Sequence, residues 1–139
     1  MPLTLAQAEA VLAAAKQRAT ELGAVSAVAV VDQGGNLVAF AVQDGAMLVV
    51  RDLAIGKAYT ANALLAPTSA LSGPVQPGGP FYGIAVAHTA RPLVTFAGGQ
   101  PLGQPVVGGV GVSGGTLEQD EEISLAAAAA FDACPGSPS

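Results

Sequence analysis

The sequence contains few charged residues and a single cysteine. Asp, Glu, Lys and Arg make up 11 % of its 139 residues, whereas ordinary soluble domains contain about 25 %. So few charges cannot readily cover the apolar surface of a monomer, and the deficit therefore predicts burial against copies of the same chain. No uninterrupted apolar run approaches the roughly 18–20 residues that cross a bilayer. We expect a soluble homo-oligomer with no membrane partner.

Further absences exclude other classes of protein. The lone Cys134 cannot form an internal disulfide, and its neighbours include no cation that would activate the thiol. The N-terminal residues 1–4 lack the basic and apolar regions of a signal peptide. The basic residues form no stripe that would bind a phosphate backbone; they are Lys16, Arg18, Arg51, Lys57 and Arg91. We expect no nucleic-acid partner and a cytoplasmic location.

The length fits one domain, which we place at residues 1–133, with a disordered tail over 134–139. Capping boxes at Thr4 and Thr116 predict the starts of two helices, which end near Gly23 and Phe131. Helical spacing predicts a further helix over 47–66, which Pro67 ends. Apolar and β-branched runs predict five strands, over 24–31, 37–42, 81–87, 92–97 and 106–113.

The order of these elements is α-β-β-α-loop-β-β-β-α. Adjacent strands with tight connections pair antiparallel, so the sequence predicts an α+β fold in which a five-stranded antiparallel sheet packs against flanking helices. The loop over 68–80 is rich in Pro and Gly. Loops of this length in compact domains often serve a binding site.

A glycine-rich segment, 109–114, matches the pattern GxGxxG between a predicted strand and a predicted helix. A dinucleotide site also requires an acidic residue on a further strand, and here the chain ends in polyalanine and a tail. Carboxylates at the start of the following helix would repel a phosphate. We therefore interpret these glycines as allowing a close approach of helix and strand.

Four side chains are candidates for chemistry or ligand binding. His88 is the only histidine and is a candidate general base or haem axial ligand, although an exposed residue without a role is equally consistent with its position. It has no neighbours that would complete a zinc site. Arg51 and Lys57 lie on a largely apolar helix, where they either bind carboxylates or form a solvated edge. Tyr82, beside the Pro/Gly loop, is a pocket residue or a core aromatic.

Five segments together carry a family resemblance: residues 3–5, 29–37, 54–61, 98–102 and 110–120. They resemble the GlcG/HbpS family, which also includes the C-terminal domain of PduO-type proteins. The resemblance implies a profilin-like fold with a five-stranded antiparallel sheet, assembly into dimers and larger rings, and haem or another tetrapyrrole as ligand. Several residues lie at family motif positions and are thereby candidates for a pocket or its framework: Lys57, Gly98, Gly99, Ser113, Gly114, Gly115 and Asp120.

The leading hypothesis is a homo-oligomeric protein that binds haem or another small ligand near the turns at 98–99 and 113–116 and the helix over 47–66. Apolar walls would bury the ligand, and Arg51, Lys57 or Arg91 would meet its carboxylates. Thr116 completes the candidate ligand-binding set. The alternative is a cofactor-free isomerase, hydratase or lyase acting on a small organic acid, with Lys57 and His88 as catalytic residues. A purely structural, self-assembling module is a third interpretation.

Overall fold

A computed structural model describes residues 2–88 and 90–135. Three α-helices and four β-strands are found in these residues. They are α1 (Leu5–Leu22), β1 (Ala27–Asp32), β2 (Leu37–Val42), α2 (Val49–Leu64), β3 (Gly99–Leu102), β4 (Gly108–Ser113) and α3 (Leu117–Asp132). Two short 3-10 helices, Thr68–Leu71 and Ile84–Val86, lie between α2 and β3. Residues 136–139 of the predicted tail lie outside the described residues.

The strands form one antiparallel sheet in the order β2-β1-β4-β3. Val30 of β1 pairs with Ala39 of β2 on one side and with Val110 of β4 on the other. Gly99 of β3 pairs with Gly111 of β4. The chain therefore enters the sheet through a hairpin, leaves it for α2 and the long 65–98 connection, and returns through a second hairpin.

The helices cover both faces of the sheet. Side chains alternate between the two faces of a strand, so Val28 and Val30 point into a core with α1 and α3, whereas Ala27, Ala29 and Val31 face α2. The first core is the larger one. Its fully buried members include Val11, Leu102, Val110, Val112, Ile123 and Phe131.

The glycines of β4 bring α2 unusually close to the sheet. A Cβ atom on Gly109 would overlap the Ala58 carbonyl oxygen, and one on Gly111 would overlap the Ala54 carbonyl oxygen. The helix backbone therefore packs directly on the strand, where a side chain would otherwise lie. Our interpretation that the glycine-rich segment serves close packing of helix and strand is confirmed.

The α+β class is confirmed, but the prediction of a five-stranded sheet is wrong. In the described residues the order is α-β-β-α-β-β-α, with four strands. The predicted strand over 81–87 is a series of turns with a 3-10 helix, because Gly83 adopts a left-handed φ of 87°. Its side chains at Phe81, Tyr82 and Val86 are exposed, so this apolar run does not mark a buried strand.

The segments around β3 were also assigned wrongly. The predicted strand over 92–97 does not join the sheet, and its Val94 N–H donates to the Thr60 hydroxyl on α2 at 2.9 Å. Residues 99–102, which lie outside all of the predicted strands, form β3. Pro101 is tolerated there because β3 lies at the edge of the sheet, where a residue without an N–H leaves no partner strand unpaired.

Capping of α3 gives a test of local stability. The Thr116 hydroxyl accepts from the Gln119 N–H at 3.1 Å, and the Gln119 side chain accepts from the Thr116 N–H at 2.9 Å. We expect Thr116→Ala to lower the free energy of unfolding by about 1 kcal/mol, because the Gln119 N–H at the helix start loses its acceptor. Urea denaturation measures this loss. Thr116→Ser should retain most of the stability, and an unaffected alanine variant would contradict the capping role.

Candidate functional site

Lys57 forms the centre of a buried polar cluster. It lies on the side of α2 that faces the sheet, and its side chain has no exposed surface. Its Nζ donates to the Val112 carbonyl oxygen at 2.8 Å and to Asp120 Oδ2 at 3.2 Å, and lies 5.0 Å from the centroid of the Phe96 ring. The interpretation of Lys57 as a solvated helix edge is therefore wrong. A catalytic role would require Lys57 to contact a substrate, and its side chain has no exposed surface for such a contact.

Asp120 connects the start of α3 to this cluster. Its carboxylate is buried, and Oδ1 accepts from the Gly115 N–H at 2.9 Å while Oδ2 faces Lys57. Gly98, with a φ of 123°, leaves the space that Lys57 fills, since a Cβ there would lie 2.7 Å from Nζ. Four of the predicted site residues thus meet around one ion pair, which fixes the positions of α2, β4 and α3.

The other predicted motif residues frame the same region. Gly99 donates its N–H to the buried Thr68 hydroxyl at 2.9 Å. Ser113 is buried at the end of β4. A Cβ on Gly114, whose φ is 135°, would overlap the Val25 carbonyl oxygen. These positions are packed against the protein's own backbone, so they act as framework in this structure.

Burial changes the acidity of the Lys57 amine. Removing the ammonium from water lowers the pKa of Lys57 below its ordinary value of 10.5, and the negative charge of Asp120 offsets this effect only in part. Burying the two charges of the ion pair costs desolvation free energy. Removing either partner would leave the other charge buried and unpaired, which would lower the stability of the fold.

This lowered pKa predicts a pH dependence of stability. Between the lowered pKa and 10.5, the unfolded chain binds more protons at Lys57 than the folded protein does, so the free energy of unfolding rises with pH. Below the lowered pKa, Lys57 is protonated in both states, and this contribution to the free energy of unfolding is absent. We expect the stability difference between the wild type and Lys57→Met to grow from neutral pH to about pH 10. Urea denaturation over this range measures it, and a difference that shrinks with rising pH would contradict the direction.

Two surface clefts flank the buried cluster. The first, which we call the acidic cleft, has a volume of about 440 Å³. It is lined by Ser69, Ala97, Leu117, Glu118, Glu121, Glu122 and Leu125. It adjoins the predicted ligand region near Gly98 and Thr116, but its three carboxylates disfavour an anionic ligand.

The second, which we call the arginine cleft, lies between α2 and the segment 90–94 and has a volume of about 510 Å³. It is lined by Asp52, Leu53, Ile55, Gly56, Tyr59, Ala90, Arg91, Pro92 and Val94. The Arg91 guanidinium carbon lies 4.0 Å from the centroid of the Tyr59 ring, and Nη2 donates to the Gly35 carbonyl oxygen at 2.5 Å. This cleft therefore combines apolar side chains with one cation, Arg91, whose guanidinium is held by Tyr59 and Gly35.

A short motif on α2 builds the wall of the arginine cleft. The Thr60 hydroxyl donates to the Gly56 carbonyl oxygen at 2.7 Å and accepts from the Val94 N–H. Gly56 lets Val94 approach, because a Cβ at this position would lie 2.7 Å from Val94 Cγ2. Gly56 and Thr60 thus fix the 92–97 segment against the helix.

The remaining predicted residues lie apart from the cluster. Arg51, in the first turn of α2, is exposed, as are Tyr82 and His88, and none of the three lines either cleft in the described structure. Arg91 does line one. Sequence reasoning missed Tyr59 as a cleft residue, although it is one of only two tyrosines and falls within the motif segment 54–61.

The described residues contain neither a metal-binding cluster nor a membrane-spanning helix. No group of three or more His, Cys, Asp or Glu side chains in residues 2–88 and 90–135 is arranged to hold a metal ion. None of the helices in this part of the chain is both long and apolar enough to span a membrane.

Comparisons with known proteins give consistent matches over nearly the whole chain. The family model described as haem degrading protein HbpS-like matches residues 3–129. An uncharacterised 15.0 kDa protein from the dhaT-dhaS intergenic region of Citrobacter freundii is 38 % identical over 131 residues, covering 93 % of this chain and 92 % of that protein. The corrinoid adenosyltransferase PduO of the same organism is 37 % identical over 134 residues, covering 95 % of this chain and 40 % of that protein.

A solved structure of a relative with its ligand also matches. The crystal structure described as the PduOC–haem complex has a TM-score of 0.88 and 37 % sequence identity, covering 94 % of this chain and 95 % of that chain. The present chain spans less than half of the PduO adenosyltransferase, so that protein's activity is not transferred.

Proposed function

We propose, from the premise that this chain belongs to the haem-degrading HbpS-like family, that it binds haem or a similar small ligand in the arginine cleft as a homo-oligomer. The profilin-like topology implied by the resemblance remains part of this proposal. The observation that carries the location is Arg91, the one cation in the lining of a cleft whose described residues are mostly apolar. The haem complex of the PduOC relative supports the choice of ligand.

The residues of the arginine cleft fit a haem. Its volume of about 510 Å³ falls within the range of roughly 300–1,000 Å³ typical of small-molecule sites. Leu53, Ile55 and Val94 offer apolar contact to a macrocycle, and Arg91 would meet a propionate. Tyr59 carries a phenol oxygen, a known type of haem iron ligand. When bound, haem would supply a redox-active iron.

The acidic cleft fits haem less well. Its Glu121 already accepts from Ser69 and from Gln100, and its Glu122 pairs with Arg18. No cation in its lining would meet a propionate. We therefore place the ligand in the arginine cleft beside α2 rather than near the turns at 98–99 and 113–116.

A Soret titration tests the proposal. We expect haem added to the wild type at low-micromolar concentration to shift the Soret band and saturate at a fixed ratio to protein. If Tyr59 ligates the iron, Tyr59→Phe should change the position of the band while preserving the ring beneath Arg91. Tyr82→Phe is the matched control, because Tyr82 is the other tyrosine and lies outside the cleft. Absence of any Soret shift in the wild type would contradict haem binding.

Exposed apolar side chains support the homo-oligomer. Met47 and Leu48, just before α2, are 71 % and 79 % exposed, and Val86 in the long connection is 74 % exposed. Large exposed apolar side chains in a chain with few charges favour contact with further copies. Sedimentation at micromolar protein should show species heavier than the 13.5 kDa chain, whereas monomers alone would contradict the assembly.

A further inference from the structure

Arg91 is held in one orientation by neutral partners. Its guanidinium carbon lies over the Tyr59 ring, 4.0 Å from the ring centroid, and its Nη2 donates to the Gly35 carbonyl oxygen. Gly35, with a φ of 79°, is essential to this arrangement, because a Cβ there would lie 2.6 Å from Arg91 Nη2 and 3.0 Å from Tyr59 Cδ1. A turn glycine of the β1–β2 hairpin thus helps to hold a side chain 56 residues later in the chain. We call Gly35 and the Tyr59 ring together the seat of Arg91.

The charge of Arg91 is left uncompensated by this seat. Among residues 2–88 and 90–135, Arg91 forms no salt bridge with a carboxylate. A ring face and one carbonyl oxygen occupy only part of the five-donor guanidinium fork. The remaining donors are preorganised for an anion, which lowers the entropy cost of binding one.

The rest of the cleft favours an apolar body next to that anion. Ile55 and Val94 line it, and the Gly56–Thr60 contacts hold the Val94 wall in place. Asp52 also lines the cleft. Its negative charge disfavours an anion on its own side, so the carboxylate of a ligand is directed to Arg91.

We infer that the arginine cleft is a site for amphipathic carboxylates as a class, meaning a flat apolar ring system that carries a carboxylate, and that recognition depends on Arg91 rather than on iron. This inference rests on the cleft of the proposed function and extends its ligand range beyond haem. The carboxylate pairs with the free donors of Arg91, and the ring system packs on Ile55 and Val94. Gly35 and Tyr59 are positioning residues that act through Arg91.

The test uses two ligands with the same ring system and nearly the same size, the anion naphthalene-2-carboxylate and the neutral naphthalene-2-carboxamide. Dissociation constants are obtained from NMR titrations that follow the amides of Ile55 and Val94, which line the cleft and are unchanged in every variant. We expect the carboxylate to bind the wild type about tenfold more tightly than the amide, as charge-assisted hydrogen bonds imply. In Arg91→Gln the two ligands should bind about equally, whereas Arg51→Gln, which removes the same charge from an exposed position outside the cleft, should retain the preference.

A second variant separates recognition from folding. Gly35→Ala disturbs the seat while leaving Arg91 in the chain, so the preference for the carboxylate should fall although both ligands still bind. Comparison of amide spectra confirms that each variant is folded. If Gly35→Ala kept the full preference, the role of the seat would be overturned.

The outcomes distinguish this inference from haem binding. Equal affinities of the two ligands for the wild type, or no binding of either, would overturn it even if the Soret titration succeeds. A tenfold preference that disappears in Arg91→Gln supports it even if haem does not bind, in which case the haem proposal fails alone.

Discussion

Lys57→Met is expected to lower the free energy of unfolding by about 3–5 kcal/mol, because it leaves the Asp120 carboxylate buried without its cation. Lys57 has no exposed surface, and Asp120 is 2 % exposed. Water therefore cannot take the place of the lost ammonium without a structural change. Urea denaturation of the variant measures the loss.

A double variant identifies the source of this loss. Asp120→Asn retains an oxygen that can accept from the Gly115 N–H but removes the charge that faces Lys57. The variant carrying both Lys57→Met and Asp120→Asn should therefore be more stable than Lys57→Met alone. The control is Arg18→Met, which breaks the ion pair with Glu122 on the protein surface, where solvent screens the charges and little change is expected. If the single and double Lys57 variants were equally unstable, the unpaired carboxylate would not be the cause.

Gly111→Ala is expected to cost about 3 kcal/mol of unfolding free energy, at the upper end of the usual range for overpacking. The new Cβ would overlap the Ala54 carbonyl oxygen and lie 2.5 Å from the Ala58 backbone nitrogen. Both atoms belong to the backbone of α2, which cannot move aside as a flexible side chain can. The helix must shift away from β4, and the Lys57 contacts that depend on its position should weaken with it.

Gly73→Ala is the matched control for this substitution. A Cβ on Gly73 meets nothing within 4 Å, and its φ is not in the left-handed region. Thermal and urea denaturation should therefore show a large loss for Gly111→Ala and little change for Gly73→Ala. Similar stabilities of the two variants would contradict the close packing of α2 on the sheet.

The parts of the fold that follow local rules could be predicted from the sequence. The capping boxes at Thr4 and Thr116 mark the true starts of α1 and α3, because a side chain satisfies an N–H only three residues away. The first hairpin was also predicted correctly. The strands over 81–87 and 92–97 were not, since their apolar residues remain partly exposed and Val94 bonds to a helix side chain rather than to a strand.

The candidate site shows the same division. The family motif brought Lys57 and Asp120 into the predicted set, but their pairing spans 63 positions and their burial follows only from the fold. The contacts that hold Arg91 in the arginine cleft join Gly35, Tyr59 and Arg91 from three distant segments. No spacing rule links a hairpin glycine to a side chain in the long connection, so Tyr59 and Gly35 were not predicted.

The ligand position is tested most directly by NMR mapping with zinc protoporphyrin, a diamagnetic analogue of haem. Binding in the arginine cleft predicts shifts concentrated on Ile55, Tyr59, Arg91 and Val94, with little change along the acidic cleft. Shifts concentrated instead on Leu117, Glu121 and Leu125 would contradict the proposed position of the ligand.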